Sequence, residues 1–381
     1  MNKIINFYIY RILSRMYFHL PVLFVFFYSE KIEIFKIELL LAAYAVTISI
    51  FGKVRLYIMK YFKYKYIISV GEVLKACGLL IIIIKPSFNM FLIGQIITGI
   101  GFSFATGTES MLLKKIYPNS LNSEYSKIES SSISYMFIST LFAGIIGSII
   151  FTFNSSGVFI LSAITSVLAA IFILFLAETP QPSLLNKNKK NKQTKDLIEL
   201  NNYNISFWIY NYALTRAFNL SLFIGFLPYY YFIELQINIY FFGLILGFFN
   251  IFAFISARYI TRWSEKSNSN LIVIMPIALS FLSMLIFSIS EDIYISLIAI
   301  SLMGLSSGGV RPLTISKLNS QSSMHPNVFA EMEKKFSYWN TTLLILGGLI
   351  ISIWSFSLLM IIFSFLYLSL LILLFLKRNE L

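Results

Sequence analysis

The chain has 381 residues, 57% of them hydrophobic and 12% charged, with a mean hydropathy of +0.78. Soluble domains carry about 25% charged residues, so there is too little polar surface to coat a water-soluble globule of this size, and a soluble enzyme is excluded. The formal net charge of +13 would suggest nucleic acid in a soluble chain; here loop asymmetry explains it, and no nucleic-acid partner is expected.

Apolar stretches near the length that crosses a bilayer core recur along the chain. Twelve are predicted, at 5–28, 37–52, 67–85, 88–113, 130–154, 157–177, 206–230, 239–260, 270–289, 293–316, 337–353 and 356–376. The first opens Met1-Asn2-Lys3 as a secretion signal would. Arg11 and Arg15 interrupt it and no small-residue cleavage site follows, so it reads as a retained helix. The third holds Glu72, Lys75 and the single cysteine, Cys77, expected as a buried core thiol; one cysteine permits neither an intrachain disulfide nor a thiolate cluster. With His19 and His325 the only histidines, neither a metal site nor a cofactor is expected.

Between the sixth and seventh segments lies the one long polar stretch, Glu178 to Asn204, with a short surface helix expected at Asp196 to Leu200. It divides the chain into bundles at 1–180 and 206–381, joined by a linker at 181–205. Tyr229-Tyr230-Tyr231 closes the seventh segment and reads as an interface anchor or a lid. Only Ser352-Ile353-Trp354-Ser355 separates the last two segments.

Lysines and arginines near span ends set orientation. Alternate loops, on the side of Lys3, carry nearly all of them, whereas the opposite loops carry only Lys31, Lys36 and Lys85. Both termini are therefore expected in the cytoplasm, with the chain multi-pass in the cell membrane. A weak internal repeat supports two related halves: Leu13-Ser14-Arg15-Met16-Tyr17 matches Leu214-Thr215-Arg216-Ala217-Phe218, and Gly101-Phe102-Ser103 matches Gly304-Leu305-Ser306. Parallel six-span repeats are one architecture of membrane transporters.

The stretch from Gln95 to Leu113, with Thr106-Gly107-Thr108-Glu109-Ser110-Met111-Leu112 near its end, resembles the fourth helix of bacterial major facilitator superfamily transporters, in particular the exporter branch where a Ser/Thr-Gly-x-x-x-Ala-Leu pattern closes that helix. The first segment up to Pro21, and Ala143-Gly144-Ile145-Ile146-Gly147 in the fifth, are similar to the same branch. The resemblance implies an all-α polytopic fold of twelve transmembrane helices in two six-helix pseudo-repeats, with helices 1, 4, 7 and 10 lining a central cavity. Two features depart from the family pattern. The loop from Arg55 to Lys65 has Met59 and Phe62 where the family's Asp and Gly are expected, and the fifth segment lacks the Gly-Pro element of many antiporters.

An ionisable group in a span costs about 2.5–3.5 kcal/mol even on a lenient scale, so each needs a partner or a watery cavity. Seven are counted: Arg11, Arg15, Glu72, Lys75, Glu109, Arg216 and Arg311. Arg11, Arg15 and His19, spaced four apart, would form one polar stripe on a helix. Glu72 and Lys75, three apart, are expected to neutralise each other and are grouped with Glu109 as coupling or gating candidates. Arg311 and Glu109 have two readings, a paired gate strut or a binding cation that Glu109 releases when substrate arrives. Four arginines against one glutamate give the cavity a net charge of about three positive charges, and guanidinium forks bind carboxylate and phosphate. Arg11, Arg15, His19, Arg216 and Arg311 are thus candidates for binding a small anionic substrate, with Gln95, Asn211, Asn219 and Tyr210 supplying hydrogen bonds.

The sequence therefore points away from catalysis. It points to a secondary active transporter, expected as a monomer, that moves a small anionic metabolite, a polycarboxylate or siderophore for example, by alternating access, with proton-coupled export implied by the resemblance. A lipid-linked oligosaccharide flippase and a multidrug efflux transporter are the alternatives.

Overall fold

In lipid a backbone must satisfy its own N–H and C=O groups, and a helix does so within a single segment. A computed structural model of the chain describes residues 3–116, 122–176, 203–266, 271–321 and 326–379, and among these all regular structure is helical. In chain order the helices are α1 (Lys3–Leu13), α2 (Leu23–Ser29), α3 (Ile34–Ile58), α4 (Tyr64–Ile84), α5 (Phe88–Ala105), α6 (Thr108–Ile116), α7 (Asn122–Phe153) and α8 (Gly157–Leu174). The second half holds α9 (Tyr203–Ser221), continued by π-helical turns at Leu222–Phe226 and Tyr230–Glu234, then α10 (Phe242–Lys266), α11 (Leu271–Ile289), α12 (Ile293–Gln321), α13 (Pro326–Ile353) and α14 (Phe356–Asn379).

Among the described residues each of the twelve predicted segments coincides with helix, the first and fourth with a break, and nine of the described helices are long and apolar enough to cross a bilayer. Several extend past their predicted ends. α7 begins at Asn122 and α13 at Pro326, well before the apolar runs at 130 and 337, because a helix can protrude beyond the bilayer core and carry polar residues there. Below, the end of the bundle at which α1 begins is the root, and the opposite end is the crown. The expected linker, with its surface helix at Asp196–Leu200, lies outside the described residues up to Tyr203, where α9 begins.

The first span departs most from expectation. Helix stops after Leu13, the chain runs through turns to His19, and it re-enters helix at Leu20–Val22 with Pro21 in the opening positions. Proline suits a helix start because its missing N–H is one that would be unpaired there anyway. The break frees the Ser14 carbonyl, which accepts a hydrogen bond from Lys75 Nζ at 3.2 Å. Arg11, Arg15 and His19 therefore do not form one helical stripe: Arg11 lies in the last turn of α1, and the other two sit in the unwound segment.

The fourth span is broken as well, at Thr106 and Gly107. Gly107 has φ +82°, a left-handed conformation that glycine adopts without the steric cost a side chain brings. A Cβ there would also approach Arg55 Nη1 to 3.1 Å. Arg55, expected in a solvated loop, is instead buried in the last turn of α3. It donates to the Ser103 carbonyl at 3.0 Å and to the Thr106 carbonyl, so a guanidinium compensates the negative end of α5.

Within the first half α4 packs on α5 and α8, and α3 on α5; within the second, α10 packs on α12 and α9 on α13. Two further pairs join the halves, α3 with α13 and α7 with α10. Small residues permit these close approaches, as expected where helices meet without water to drive them together: a Cβ on Gly243 of α10 would lie 2.5 Å from the Ile145 Cα of α7. The outer surface is apolar, with Ile50, Phe142, Leu282, Ile298 and Phe365 exposed, the reverse of a soluble protein. Two expectations are corrected here. Cys77 is exposed, not buried. Tyr230 and Tyr231 are buried rather than facing an interface: Tyr230 stacks on Phe356 with ring centroids 4.4 Å apart and donates to the Ser290 carbonyl at 2.9 Å.

Candidate functional site

A cavity of about 240 Å³ lies between the two halves. Its wall is mostly apolar, with Phe102, Phe137, Phe223 and Phe249 among the lining residues, but charged and polar groups converge on it: Arg15, His19, Lys75 and Gln95 from the first half, Arg216, Arg311 and Asn340 from the second. A hollow with few polar groups in an apolar wall is the ordinary form of a small-molecule site.

The remaining candidates stand off this wall. Arg11, Glu72 and Glu109 are fully buried behind it. Asn219 donates to Ser306 at 3.3 Å and accepts from Ser280 at 3.0 Å, which ties α9 to α11 and α12. Asn211 is buried, and Tyr210 accepts from Lys335 at 2.7 Å. His19 reaches Ser162 of α8 through Nδ1 at 2.9 Å and stacks on Phe159. Among the described residues no cluster of three or more His, Cys, Asp or Glu side chains could hold a metal.

Behind the first-half wall is a closed ionic cluster. Arg11 pairs with Glu109 through Nη1 and with Glu129 of α7 through Nη2 at 3.1 Å. Arg15 reaches the same Glu109 oxygen at 3.1 Å, while its Nη1 donates to the Tyr17 hydroxyl at 2.8 Å. Ser110 donates to Glu129 at 2.6 Å, and Tyr10 donates to Glu109 at 3.1 Å and to Glu72 at 3.3 Å. Lys75 and Glu72 pair at 2.5 Å. Two arginines thus face two glutamates, and the lysine cancels its own neighbour.

The second-half cluster is smaller and unbalanced. Glu333 of α13 receives Arg216 of α9 at 2.9 Å and Arg311 of α12 at 3.0 Å. Tyr212 donates to Glu333 at 2.9 Å and accepts from Arg216, whose guanidinium also stacks over Phe336 at 4.1 Å. Two guanidinium groups therefore share one carboxylate. Arg311 Nε and Nη2 are buried with no hydrogen-bond partner among the described residues. These two nitrogens form one forked edge, the arrangement that takes a carboxylate or phosphate in bidentate fashion.

Two readings from sequence are corrected by this geometry. Arg311 does not pair with Glu109; its partner is Glu333, while Glu109 belongs to Arg11 and Arg15. Nor do four arginines meet a single glutamate. Glu129 and Glu333 both precede the apolar runs that mark their spans, which hides them from a count of charges within spans, and the surplus falls to one guanidinium, in the second half. The signal was present in the spacing: Glu129 and Glu333 are 204 residues apart, close to the offset relating Arg15 to Arg216. Glu38, inside the second predicted segment, is a further buried ionisable group.

The family model described as Major Facilitator Superfamily matches residues 11–329. Among curated proteins none matches the chain in sequence. Solved structures share its fold. A mutant of the nucleoside transporter NupG superposes with a TM-score of 0.71 at 11% identity, over 98% of this chain and 99% of that one. The human organic anion transporter MFSD10 (TETRAN) gives a TM-score of 0.72 at 11% identity, over 97% of this chain and 98% of that one. At such identities the likeness concerns the fold.

Proposed function

The chain belongs to the Major Facilitator Superfamily and is a multi-pass membrane transporter, and from that premise we propose that its cargo is a small organic anion carrying carboxylate or phosphate groups. The observation that carries this reading is the second-half cluster: a cavity-lining Arg311 whose forked edge has no partner, beside Arg216, with one glutamate between them. The unpaired Arg311 edge is itself buried, so an anion entering the cavity meets Arg216 first and takes the Arg311 edge as it displaces Glu333 from the two guanidinium groups. Arg15, Lys75, Gln95 and His19 face it from the other half. A desolvated fork binds such an anion more strongly than a lysine would, because its two N–H groups are already aligned.

The halves then exchange exposure of the site by alternating access, with the root end cytoplasmic, as the lysine-rich loops on the side of Lys3 support. Outward movement of the cargo is supported by the exporter-like Thr106-Gly107 element in the fourth span. Arg11 and Glu109 serve as the frame that holds Arg15 at the wall. A cavity of about 240 Å³ suits a small solute better than a lipid-linked oligosaccharide.

Uptake into inside-out vesicles tests this. Labelled di- and tricarboxylates and sugar phosphates are offered to the parent protein, to Arg216→Gln and to Arg15→Gln at equal expression. Anion uptake that falls at least about tenfold in Arg216→Gln, a change of about 1.4 kcal/mol, is the expected result. Equal uptake by both variants and the parent contradicts the reading, as does uptake confined to neutral or cationic solutes.

A further inference from the structure

Glu38 lies in the second turn of α3, near the crown, and is fully buried. Neither carboxyl oxygen has a hydrogen-bond partner among the described residues, which sets it apart from Glu109, Glu129 and Glu333 of the two clusters. Its neighbours come from the other half of the chain. A Cβ on Gly225, in the π-helical continuation of α9, would stand 2.7 Å from Oε2 and 3.1 Å from Oε1; one on Gly348 of α13 would stand 2.8 Å from the Glu38 Cβ and 3.0 Å from its Cγ. Two side-chain-free positions thus form a notch in the second half, and the carboxyl group of the first half fills it. Leu344, fully buried, stands beside Gly225, and Phe35 beside Gly348.

Among the described residues no cation pairs with the Glu38 carboxyl. On its own helix, Glu33 and Lys36 pair with each other at the exposed mouth. On the continuation of α9 the titratable side chains are Tyr229, Tyr230, which donates to Ser290, Tyr231 and Glu234; on α13 they are Glu331, Glu333, Lys334, Lys335 and Tyr338, all at least six residues from Leu344. Tyr28 of α2 packs on Phe232. None of these bonds the Glu38 carboxyl.

A carboxylate moved into an apolar site without a donor or a cation is not tolerated as an ion; the neutral acid is the form that fits. We propose that Glu38 is a proton-binding site on the crown gate, and that the gate closes only when this carboxyl carries a proton. The step is balanced as it stands: the carboxylate takes a proton from hydronium in the crown-side water, an O–H bond forms, water is released, and the uncharged side chain enters the Gly225–Gly348 notch. When the halves part at the crown, the group meets water again and releases the proton there. Closed and open crown are two states that the proton biases by its different affinity for each. The inference rests on alternating access by this transporter and not on the charge of its cargo.

The test reads conformation without any cargo. Nitroxide labels on Ile84→Cys of α4 and Ile289→Cys of α11, both exposed at the crown, are placed in a Cys77→Ser background in lipid nanodiscs, and the distance distribution is measured from about pH 5 to about pH 9. The expected result is a short-distance population that dominates at low pH and gives way to a long one as pH rises, with the ratio changing by up to about tenfold per pH unit, as for one linked proton. Glu38→Gln, a permanent mimic of the neutral acid, is expected to stay short across the range, and Glu38→Asp to keep a pH dependence. A pH-invariant distribution in the parent overturns the proposal, and so does an unchanged pH dependence in Glu38→Gln. Loss of anion uptake with this response intact would instead count against the cargo reading alone.

Discussion

The two halves solve the same problem, charges buried beside a cavity, in different ways. In the first half Arg11, Glu109 and Glu129 lie behind the wall and hold Arg15 at it, with the arginine side chains 1% to 6% and the glutamates 0% to 1% exposed. In the second, Arg216 and Arg311 share Glu333 at the wall itself, with side chains 22% and 13% exposed. Balanced and sealed, the first cluster has the properties of a brace. Short of one negative charge and lining the cavity, the second is the cluster we propose as the binding site. Position in the repeat alone would not have separated them, since Arg15 and Arg216 correspond.

The largest effect is expected where the brace is broken. Glu109→Gln leaves Arg11 with Glu129 alone and takes from Arg15 its carboxylate partner, and loss of one partner from a buried ion pair costs about 3–5 kcal/mol. A large fall in the melting temperature of the detergent-solubilised protein is the expected outcome; a shift as small as that of an exposed substitution would dissolve the distinction between the halves. Glu333→Gln sharpens it from the other side. Arg216 can turn to cavity water, so the stability loss is expected to be smaller, about 1–3 kcal/mol, while citrate, used as a tricarboxylate probe, binds more tightly because its competitor is gone. Weaker citrate binding in Glu333→Gln would show that the glutamate helps rather than competes.

Arg311→Lys keeps the charge and removes the fork. Its expected effect is about tenfold weaker citrate binding, or about 1.4 kcal/mol, with little change in melting temperature; unchanged affinity would make Arg311 a point charge only. The smallest effect is expected at the kink. Gly107→Ala places a side chain in the left-handed region, at a cost of about 1 kcal/mol, read as a modest fall in melting temperature. A fall as deep as that of Glu109→Gln would mean that the kink and the brace form one unit.

Helical class, the twelve segments and the family were legible because apolar length and the motif around Gly107 are local signals. The ion pairs were not. Glu129 and Glu333 sit where helices outrun the apolar core, so hydropathy ends each span before reaching them, and their partners are on other helices. The unwinding at Ser14–His19 depends on Lys75 of another span reaching a freed carbonyl, which no spacing within the first span encodes. Arg55 looked like a loop cation until α3 proved to extend to Ile58. The matched glycines of the weak repeat also find different neighbours: Gly101 meets Gly71 of α4, whereas Gly304 meets Phe249 of α10. Likeness in sequence therefore located the arginines of the repeat but not the contacts around them.

The most direct test removes charge from each half in turn and reads citrate binding by calorimetry in nanodiscs. Arg311→Gln takes the surplus guanidinium from the second half, whereas Arg11→Met combined with Glu129→Gln takes a matched pair from the first and leaves its balance unchanged. The account predicts that citrate binding is lost in the former and retained by the folded fraction of the latter. Binding retained in Arg311→Gln and lost in the double variant would contradict it.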